Sequence, residues 1–460
     1  MDAEWPPPAD STPAREGIAE RLSRMIQLPT ISVDLPHTGL GVFEEFEQLL
    51  AELYPLIHAK LAKEKIGELG LVFDWAPAAP TDGPPVVLMA HFDVVPVVGQ
   101  EAEWGAPPFE GRIVEGEVLG RGALDDKGAL CTLLESVENL LAQDWAPPMR
   151  VLLCLGGDEE DHGHAARLIA ETLRERGVRP AFVIDEGGAI TQIPFPGVPG
   201  WFAMVGLAEK GVMTVELSTS GTGGHASAPS GLTAVGRIAK AVAKLNRNPF
   251  PPHTPGTVSQ LFGAIADHAE PRYATAYRLV GRAPVISARA LPLAGNEATA
   301  MVRTTLAPTM LDGGSSSNVL PSSASATLNI RINIGESTAS VMARLRRVIA
   351  DSEVIVRLVE GDEPTPEAST TNAAWKLITD AVEASYPGVA TLPYLTMAAT
   401  DGRHWHRFVA DVYRFAPLQM DAAQRASIHG VDERVSVDAL RRGERFYRAL
   451  LLGLVGATHE

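Results

Sequence analysis

Three short apolar runs constrain the fold of this chain more than any other feature. They span residues 85–90, 150–155 and 181–184, and apolar residues at helical spacing over 165–176 separate the second run from the third. Continuous apolar runs are typical of parallel strands that are covered on both faces. A helix between two such strands forms the usual crossover connection. The runs therefore predict an α/β fold with a mixed, mostly parallel sheet.

Potential metal ligands follow each of these runs. In chain order they are His91, Asp93, Asp158, Glu159, Glu160, Asp185 and Glu186. Ligand sites in open α/β sheets lie at the carboxyl ends of the strands, and acidic residues that crowd together there repel one another unless a cation is present. Each group alone would be interpreted as a solvated loop, but their repetition after three strands predicts one metal site.

A glycine-rich turn at residues 119–128 adds two adjacent carboxylates, Asp125 and Asp126, at the start of a predicted helix. Alone, this pair would be interpreted as a helix N-cap. A dinucleotide-binding fingerprint does not fit, because Asp125 replaces the third glycine of that motif, which disfavours a nicotinamide oxidoreductase. A carboxylate where a pyrophosphate would lie favours a bound cation, so we expect the turn to belong to the same metal site.

Composition limits the other classes of function. A chain of 460 residues is expected to form two domains. The formal net charge of -17 disfavours nucleic acid as a partner. No apolar run approaches the roughly 20 residues of a membrane span, so we expect no membrane partner either. Cys131 and Cys154 lie in apolar runs, which predicts buried thiols and a cytoplasmic location.

The apolar pattern changes after Lys210 from continuous to alternating. Half-buried strands and amphipathic helices are predicted over residues 213–217, 325–332, 232–245 and 341–349. We therefore expect a smaller α+β domain, ferredoxin-like in outline, over residues 210–360; we call this segment the lid. It would serve as a lid and dimerisation domain and would interrupt a catalytic domain made of residues 1–209 and 361–460.

Within the lid, residues 249–315 form a long insertion without clear periodicity. Its apolar residues include Leu261, Phe262, Ile265, Leu279 and Val285. These side chains could line an extended groove or belong to the core of the lid. The sequence leaves both interpretations open.

The motifs occur in an order that resembles the family of two-zinc amidohydrolases that includes aminoacylase, acetylornithine deacetylase, succinyl-diaminopimelate desuccinylase and glutamate carboxypeptidase. The matching motifs are His91-Phe-Asp93, Gly120-Arg-Gly-Ala-Leu-Asp-Asp-Lys-Gly128, Asp158-Glu-Glu160, Asp185-Glu-Gly-Gly188, Gly224-His-Ala-Ser-Ala-Pro229 and Ile428-His-Gly430. Within this family the chain is most similar to the carboxypeptidase S and N-fatty-acyl-amino-acid synthase/hydrolase branch, through residues 183–188, 209–211 and 428–433 and the long insertion. The resemblance implies a zinc-peptidase-like catalytic domain, an interrupting lid and a homodimer.

The resemblance also implies roles for individual residues. The metal ligands would be His91, Asp125, Glu160, Asp185 and His429, with Glu186 as the alternative to Asp185. Asp93 would orient His91, and Glu159 would act as the general base. His225 of the lid would donate a hydrogen bond to the tetrahedral oxyanion, and in dimeric relatives this histidine comes from the partner subunit.

The implied cofactors are two divalent metal ions. Histidine and carboxylate ligands together suit zinc, although cobalt or manganese would also fit. A hydroxide that bridges the two ions would balance the remaining positive charge and act as the nucleophile.

Three further residues are candidates for binding the substrate. Arg331 is out of phase with the apolar residues of its predicted strand, so its guanidinium could hold a substrate carboxylate. Asn318 matches a position near the site in the family, and Arg403 and Asp401 either line the site or form a surface ion pair with each other. Together the residues predict a metal-dependent hydrolase that cleaves an amide bond adjacent to a free carboxylate, in an N-acyl amino acid or a short peptide. The alternative is a non-catalytic metal- or peptide-binding relative of the family.

Overall fold

The computed structural model describes residues 14–97, 99, 101–229 and 231–454. Within this part of the chain the helices are α1 (Ile18–Ile26), α2 (Leu35–Thr38), α3 (Gly41–Leu53), α4 (Pro55–Lys60), α5 (Lys127–Ala142), α6 (His164–Glu175), α7 (Ala234–Arg247), α8 (Gly256–His268), α9 (Pro271–Arg282), α10 (Pro284–Ala290), α11 (Asn296–Met301), α12 (Thr338–Ile349), α13 (Ala373–Ser385), α14 (Gly402–Trp405), α15 (Ala422–Ser427) and α16 (Val437–Gly453). The strands are β1 (Ala62–Ile66), β2 (Gly70–Trp75), β3 (Val86–His91), β4 (Arg112–Val114), β5 (Glu117–Leu119), β6 (Val151–Gly156), β7 (Phe182–Asp185), β8 (Ile190–Gln192), β9 (Trp201–Glu209), β10 (Gly211–Ser220), β11 (Gly224–His225), β12 (Thr305–Asp312), β13 (Val319–Leu320), β14 (Ser323–Ile332), β15 (Ile355–Asp362), β16 (Ala390–Thr396), β17 (Val412–Arg414) and β18 (Arg434–Ser436).

A nine-stranded mixed sheet forms the larger part of the molecule. Its strand order is β1-β2-β6-β3-β7-β17-β9-β16, and β8 pairs with β9 at one side. The central neighbours β6, β3, β7 and β17 are parallel. Helices pack on the sheet, and α5, which the glycine-rich turn opens, is almost entirely buried. The predicted α/β class is confirmed.

The three apolar runs of the sequence are the buried strands β3, β6 and β7. His91 at the end of β3 pairs with Gly156 at the end of β6, and Leu88 pairs with Ile184 near the end of β7. Because all three strands point the same way, their carboxyl ends meet at one edge of the sheet. The acidic residues that follow them therefore converge there, as the runs predicted.

The alternating strands form a separate four-stranded antiparallel sheet of order β12-β14-β10-β15. On β10 the residues Met213, Val215 and Leu217 are buried and pack with α7 and α12 in a core of their own. The lid thus has an α+β composition, while its limits at residues 210 and 360 stay a prediction. None of the described helices combines the length and the apolar character that a membrane crossing requires.

The helical part of the long insertion packs on the large sheet, whereas its last strand, β12, belongs to the lid sheet. The insertion forms helices α8 to α11, and three of its five candidate residues, Leu261, Phe262 and Ile265, share a buried cluster with residues of β9 and β16. Leu279 and Val285 are exposed, so the interpretation of these two residues as core is wrong. Apolar character alone does not place a side chain inside a protein.

Candidate metal centre

The carboxylate of Asp125 lies between two histidines. Its Oδ1 lies 3.0 Å from Nε2 of His91, and its Oδ2 lies 3.1 Å from Nε2 of His429. His91 ends β3, whereas His429 lies in the loop after α15 with a left-handed backbone (φ 59°). One carboxylate thus connects nitrogen donors from distant parts of the sequence, which is the arrangement expected of a bridging ligand.

Asp93 is fully buried and orders the residues around it. Its Oδ1 lies 3.1 Å from Nδ1 of His91. The two oxygens of its carboxylate accept hydrogen bonds of 3.0 Å from the backbone nitrogens of Glu159 and Glu160, and Ser32 donates a further hydrogen bond of 2.7 Å. This geometry suits the orienting role predicted for Asp93, and it also fixes the loop that carries the two glutamates.

Glu160 belongs to two clusters of potential ligands. One cluster consists of His91, Glu159 and Glu160, and the other of Asp125, Glu160 and His429. In each cluster the donor atoms lie within 4.8 Å of one another. The structure thus brings four of the five predicted ligands together with the predicted general base.

The fifth ligand remains a choice between neighbours. Asp185 is buried at the end of β7, and its Oδ2 accepts a hydrogen bond of 2.5 Å from the backbone nitrogen of Gly402. Glu186 lines a cavity together with Asp125. Neither acid belongs to the two clusters found among the described residues, so Asp185, with Glu186 as the alternative, stays a prediction.

The carboxylates of the site give it a negative charge that neutral histidines cannot balance. Burial opposes protonation of His91, yet its hydrogen bond to Asp125 helps to raise its pKa well above the usual value. Hydrogen bonds to Asp125 and Glu160 raise the pKa of His429 to about 10, and burial raises the pKa of Glu159 well above that of an ordinary glutamate. Divalent cations would supply the missing positive charge and leave both imidazoles neutral, so these residues fit a metal centre.

A buried ion pair joins the two loops that carry the ligands. Nη1 of Arg121 lies 2.6 Å from Oε2 of Glu433, and both side chains are buried. The Glu433 carboxylate also accepts hydrogen bonds of 2.8 to 3.2 Å from three backbone nitrogens of residues 122–125. Arg121 donates to the carbonyl of Gly430, next to His429. This pair is not among the residues predicted from the sequence, although Arg121 and Glu433 each lie within a motif that carries a metal ligand.

The second carboxylate of the turn supports His91 rather than capping a helix. Asp126 occupies the N-cap position of α5, but its side chain makes no capping hydrogen bond. Its Oδ2 instead accepts a hydrogen bond of 3.1 Å from the backbone nitrogen of His91. The peptide bond between Asp125 and Asp126 is cis. The N-cap interpretation of this pair is therefore wrong.

His225 and Asn318 lie beside each other in the lid. His225 pairs with Val319 across the small β11–β13 sheet, and the backbone nitrogen of Ala226 donates to the carbonyl of Asn318 at 3.0 Å. His225 is exposed, and its Nδ1 lies 2.8 Å from the hydroxyl of Ser227. Neither of the two ligand clusters found among the described residues includes His225, so its catalytic role and that of Asn318 in binding stay predictions.

Arg331 lies close enough to Arg403 for the second guanidinium to affect its pKa. Arg331 projects from β14 away from the lid core, and burial lowers its pKa, with a contribution from Arg403. Arg403 forms an ion pair of 3.3 Å with Asp362. Asp401 is buried, so the interpretation of Arg403 and Asp401 as a surface ion pair is wrong. No ion pair of Arg331 is found among the described residues, which leaves its guanidinium available for a substrate carboxylate.

An apolar cavity of about 170 Å³ adjoins the ligands. Its charged lining residues are Asp125, Glu186, Glu297 and Arg425. Its apolar side chains include Phe195, Met204, Leu261, Met301, Met420 and Ile428. Leu261 and Met301 come from the long insertion, so of the five candidates for an extended groove only Leu261 contributes to this cavity.

Comparisons with known proteins agree on one family. The sequence profile of peptidase family M20/M25/M40 matches residues 87–453. N-fatty-acyl-amino acid synthase/hydrolase PM20D1.1 of Danio rerio is 31% identical over 450 residues, which cover 95% of this chain and 85% of the zebrafish protein. Probable carboxypeptidase S-like 2 of Dictyostelium discoideum is 32% identical over 441 residues, which cover 94% of this chain and 84% of that protein.

Solved structures share the fold. The M20 family metallo-carboxypeptidase Sso-CP2 from Sulfolobus solfataricus superposes with a TM-score of 0.69 at 18% identity, over 96% of this chain and 100% of that one. Human carnosine dipeptidase 1 superposes with a TM-score of 0.63 at 15% identity, over 95% of this chain and 96% of that one. At these identities the likeness speaks for the fold alone.

Proposed function

This chain belongs to peptidase family M20/M25/M40 and is a metal-dependent amide hydrolase, and we propose that it cleaves N-acyl amino acids with long apolar acyl chains. The alternative of a non-catalytic relative is not favoured. Relatives named N-fatty-acyl-amino acid synthase/hydrolase and carboxypeptidase S support an amide bond next to a free carboxylate as the substrate.

The observation that carries the proposal is the apolar cavity beside the ligands. Asp125 and Glu186 belong to its lining, so an acyl carbonyl at the metal centre would direct its chain along the side chains of Met204, Leu261 and Met301. These three residues are buried and carry no charge. An acyl chain needs no polar partner along these side chains, whereas the charged amino group of a dipeptide would have to reach a carboxylate of the lining, Glu186 or Glu297.

The metal ligands, Glu159 and Arg331 would have different roles in the reaction. Divalent cations held by the ligands would activate a water molecule and polarise the amide carbonyl. Glu159 would take the proton from the attacking water and deliver it to the leaving nitrogen, and burial favours its protonated form at that stage. Arg331 would bind the substrate carboxylate, since its guanidinium is half-buried and forms no ion pair among the described residues.

We propose two zinc ions as the cofactors. Two overlapping clusters that share Glu160 support two adjacent ions, and mixed histidine and carboxylate donors suit zinc, with cobalt or manganese as substitutes. Cys131 and Cys154 are free and buried, which supports the expected cytoplasmic location.

The proposed assembly is a homodimer formed through the lids. Both outer strands of the lid sheet, β12 and β15, present exposed apolar side chains, among them Met310, Leu311 and Ile355. Exposed edge strands of this kind favour pairing with another chain. His225 is itself exposed on the lid, and in this assembly it would reach the active site of the partner subunit.

The proposed substrate class is tested by kcat/KM for a series of N-acyl amino acids and simple dipeptides. From acetyl through butyryl to octanoyl, each buried methylene should raise kcat/KM up to about fourfold, the equivalent of about 0.8 kcal/mol. Replacement Met301→Trp should lower the octanoyl-to-acetyl ratio, whereas Met342→Trp, at a buried position of the lid core outside the cavity, should leave it unchanged. A preference for acetyl or for dipeptides would refute the proposal. Substrates capped as amides should be slower if Arg331 binds the carboxylate.

A further inference from the structure

One segment of the insertion carries a net positive charge, whereas the whole chain is negatively charged. Residues 271–296 contain four arginines and neither aspartate nor glutamate, although the chain has a formal net charge of -17. The arginines are Arg272, Arg278, Arg282 and Arg289. The segment forms α9, α10 and the turn that follows them, so its positive charge is concentrated in one region of the folded protein.

The same segment exposes large apolar side chains. Leu293 is 89% exposed and Val285 is 67% exposed, and Leu279 and Ile286 also face solvent. Helix α9 has no fully buried residue. We call these four side chains and the four arginines the α9–α10 patch. Clusters of exposed apolar side chains on a protein commonly mark an interaction site.

Half of the arginines of the patch are free to act on a partner. Arg272 pairs with Glu270 and Arg278 with Asp267, in both cases at the surface. Among the described residues Arg282 and Arg289 form no ion pair. Exposed apolar side chains beside two arginines that have no ion pair match the composition of elements that bind at the surface of an anionic bilayer.

The patch is connected to the apolar cavity by aromatic contacts. The ring of Tyr277 on α9 lies 6.4 Å from Phe195 and 6.1 Å from Phe262, and its hydroxyl donates to the carbonyl of Pro196. Phe195 lines the cavity beside the metal ligands. The insertion therefore supplies both part of the cavity wall and the patch, which places an apolar substrate site next to an apolar, positively charged surface.

We propose that the α9–α10 patch docks the protein on an anionic lipid surface. The arginines would bind the head groups, and Leu279, Val285, Ile286 and Leu293 would enter the boundary between head groups and acyl chains. This inference revises the expectation of no membrane partner, which concerned spanning segments only. It concerns binding and not hydrolysis, so its failure would leave the proposed substrate untouched.

The test is co-sedimentation of the full chain with phosphatidylcholine vesicles, with and without phosphatidylserine. Binding should be stronger to the anionic vesicles and should weaken as salt is raised, because salt screens surface charge. The double variant Arg282→Gln/Arg289→Gln should bind on the order of 30-fold more weakly, at about fivefold for each arginine. Replacement Leu293→Ser should weaken binding roughly tenfold.

The matched control removes two arginines outside the α9–α10 patch. Arg247→Gln/Arg347→Gln replaces two exposed arginines on the lid helices α7 and α12 and should leave vesicle binding unchanged. Equal binding to neutral and anionic vesicles, or equal loss in the control, would overturn the proposal. So would a self-associated form that Leu293→Ser dissociates, because the patch would then be an interface between protein chains.

Discussion

Replacement of Glu433 by glutamine is expected to weaken metal binding without removing any ligand. Its carboxylate pairs with Arg121 at 2.6 Å and accepts three backbone hydrogen bonds from residues 122–125, the turn that carries Asp125. Arg121 in turn donates to Gly430, beside His429. Glutamine retains the size of the side chain but offers only one accepting oxygen and no charge, so the two ligand loops lose their common partner.

The expected loss of stability follows from the burial of the ion pair. Both partners are almost completely buried, and removing one member of such a pair leaves an uncompensated charge, at about 3–5 kcal/mol of unfolding free energy. Loss of a residue that orients metal ligands typically weakens metal affinity about 10- to 100-fold. We therefore expect Glu433→Gln to show both effects.

Urea unfolding would measure the stability, and competition with a chelator for zinc would measure the affinity. Glu444→Gln is the matched control, since Glu444 is equally buried, pairs with Arg448 at 3.0 Å and accepts from Asn139, away from the site. The control should lose stability and keep its metal affinity. If Glu433→Gln binds zinc as the unmodified protein does, the Arg121–Glu433 pair does not position the ligands.

Three further outcomes are expected. Glu159→Gln should lower kcat by about 10²–10⁴-fold at unchanged metal content, with the exposed neighbour variant Asp161→Asn as control; activity within about tenfold of the unmodified enzyme contradicts a general base. Mixing His225→Ala with a metal-site variant should restore part of the activity in mixed dimers, and a fully active monomer by gel filtration would contradict this. Burial lowers the pKa of Lys210 to about 8, so between about pH 8 and 10.4 the unfolded chain binds more protons, and the unfolding free energy should rise relative to Lys210→Met by up to about 3 kcal/mol. Urea unfolding would measure this, and a difference in unfolding free energy that stays constant across that pH range would contradict the lowered pKa of Lys210.

The metal centre was predictable because its residues follow local patterns. His91 comes at the end of a buried apolar strand, and Glu159 and Glu160 follow another, where side chains of parallel strands converge. Asp125 lies in a glycine-rich turn that opens a helix. Each signal can be read within about ten residues, the length of one strand and its turn.

The remaining features depend on contacts between distant segments. Arg121 and Glu433 meet across most of the sequence, and no local periodicity indicates such a pair. Asp185 and Glu186 are adjacent at a strand end, so spacing cannot decide between them. Leu279 carries the same apolar signal as Leu261, but only Leu261 is buried, because burial is decided by which surface a helix meets.

The insertion separates residues that line the cavity from the residues that bind the metal and carry out catalysis. Every predicted metal ligand and the predicted base lie outside residues 249–315, whereas Leu261 and Met301 supply part of the cavity wall from within them. Substitutions in α8 or α11 can therefore reshape the cavity while the metal centre stays intact. Exchange of this segment between relatives should transfer a preference for one acyl chain without transferring catalytic residues, so a single fold can diversify its substrates by changing one replaceable stretch.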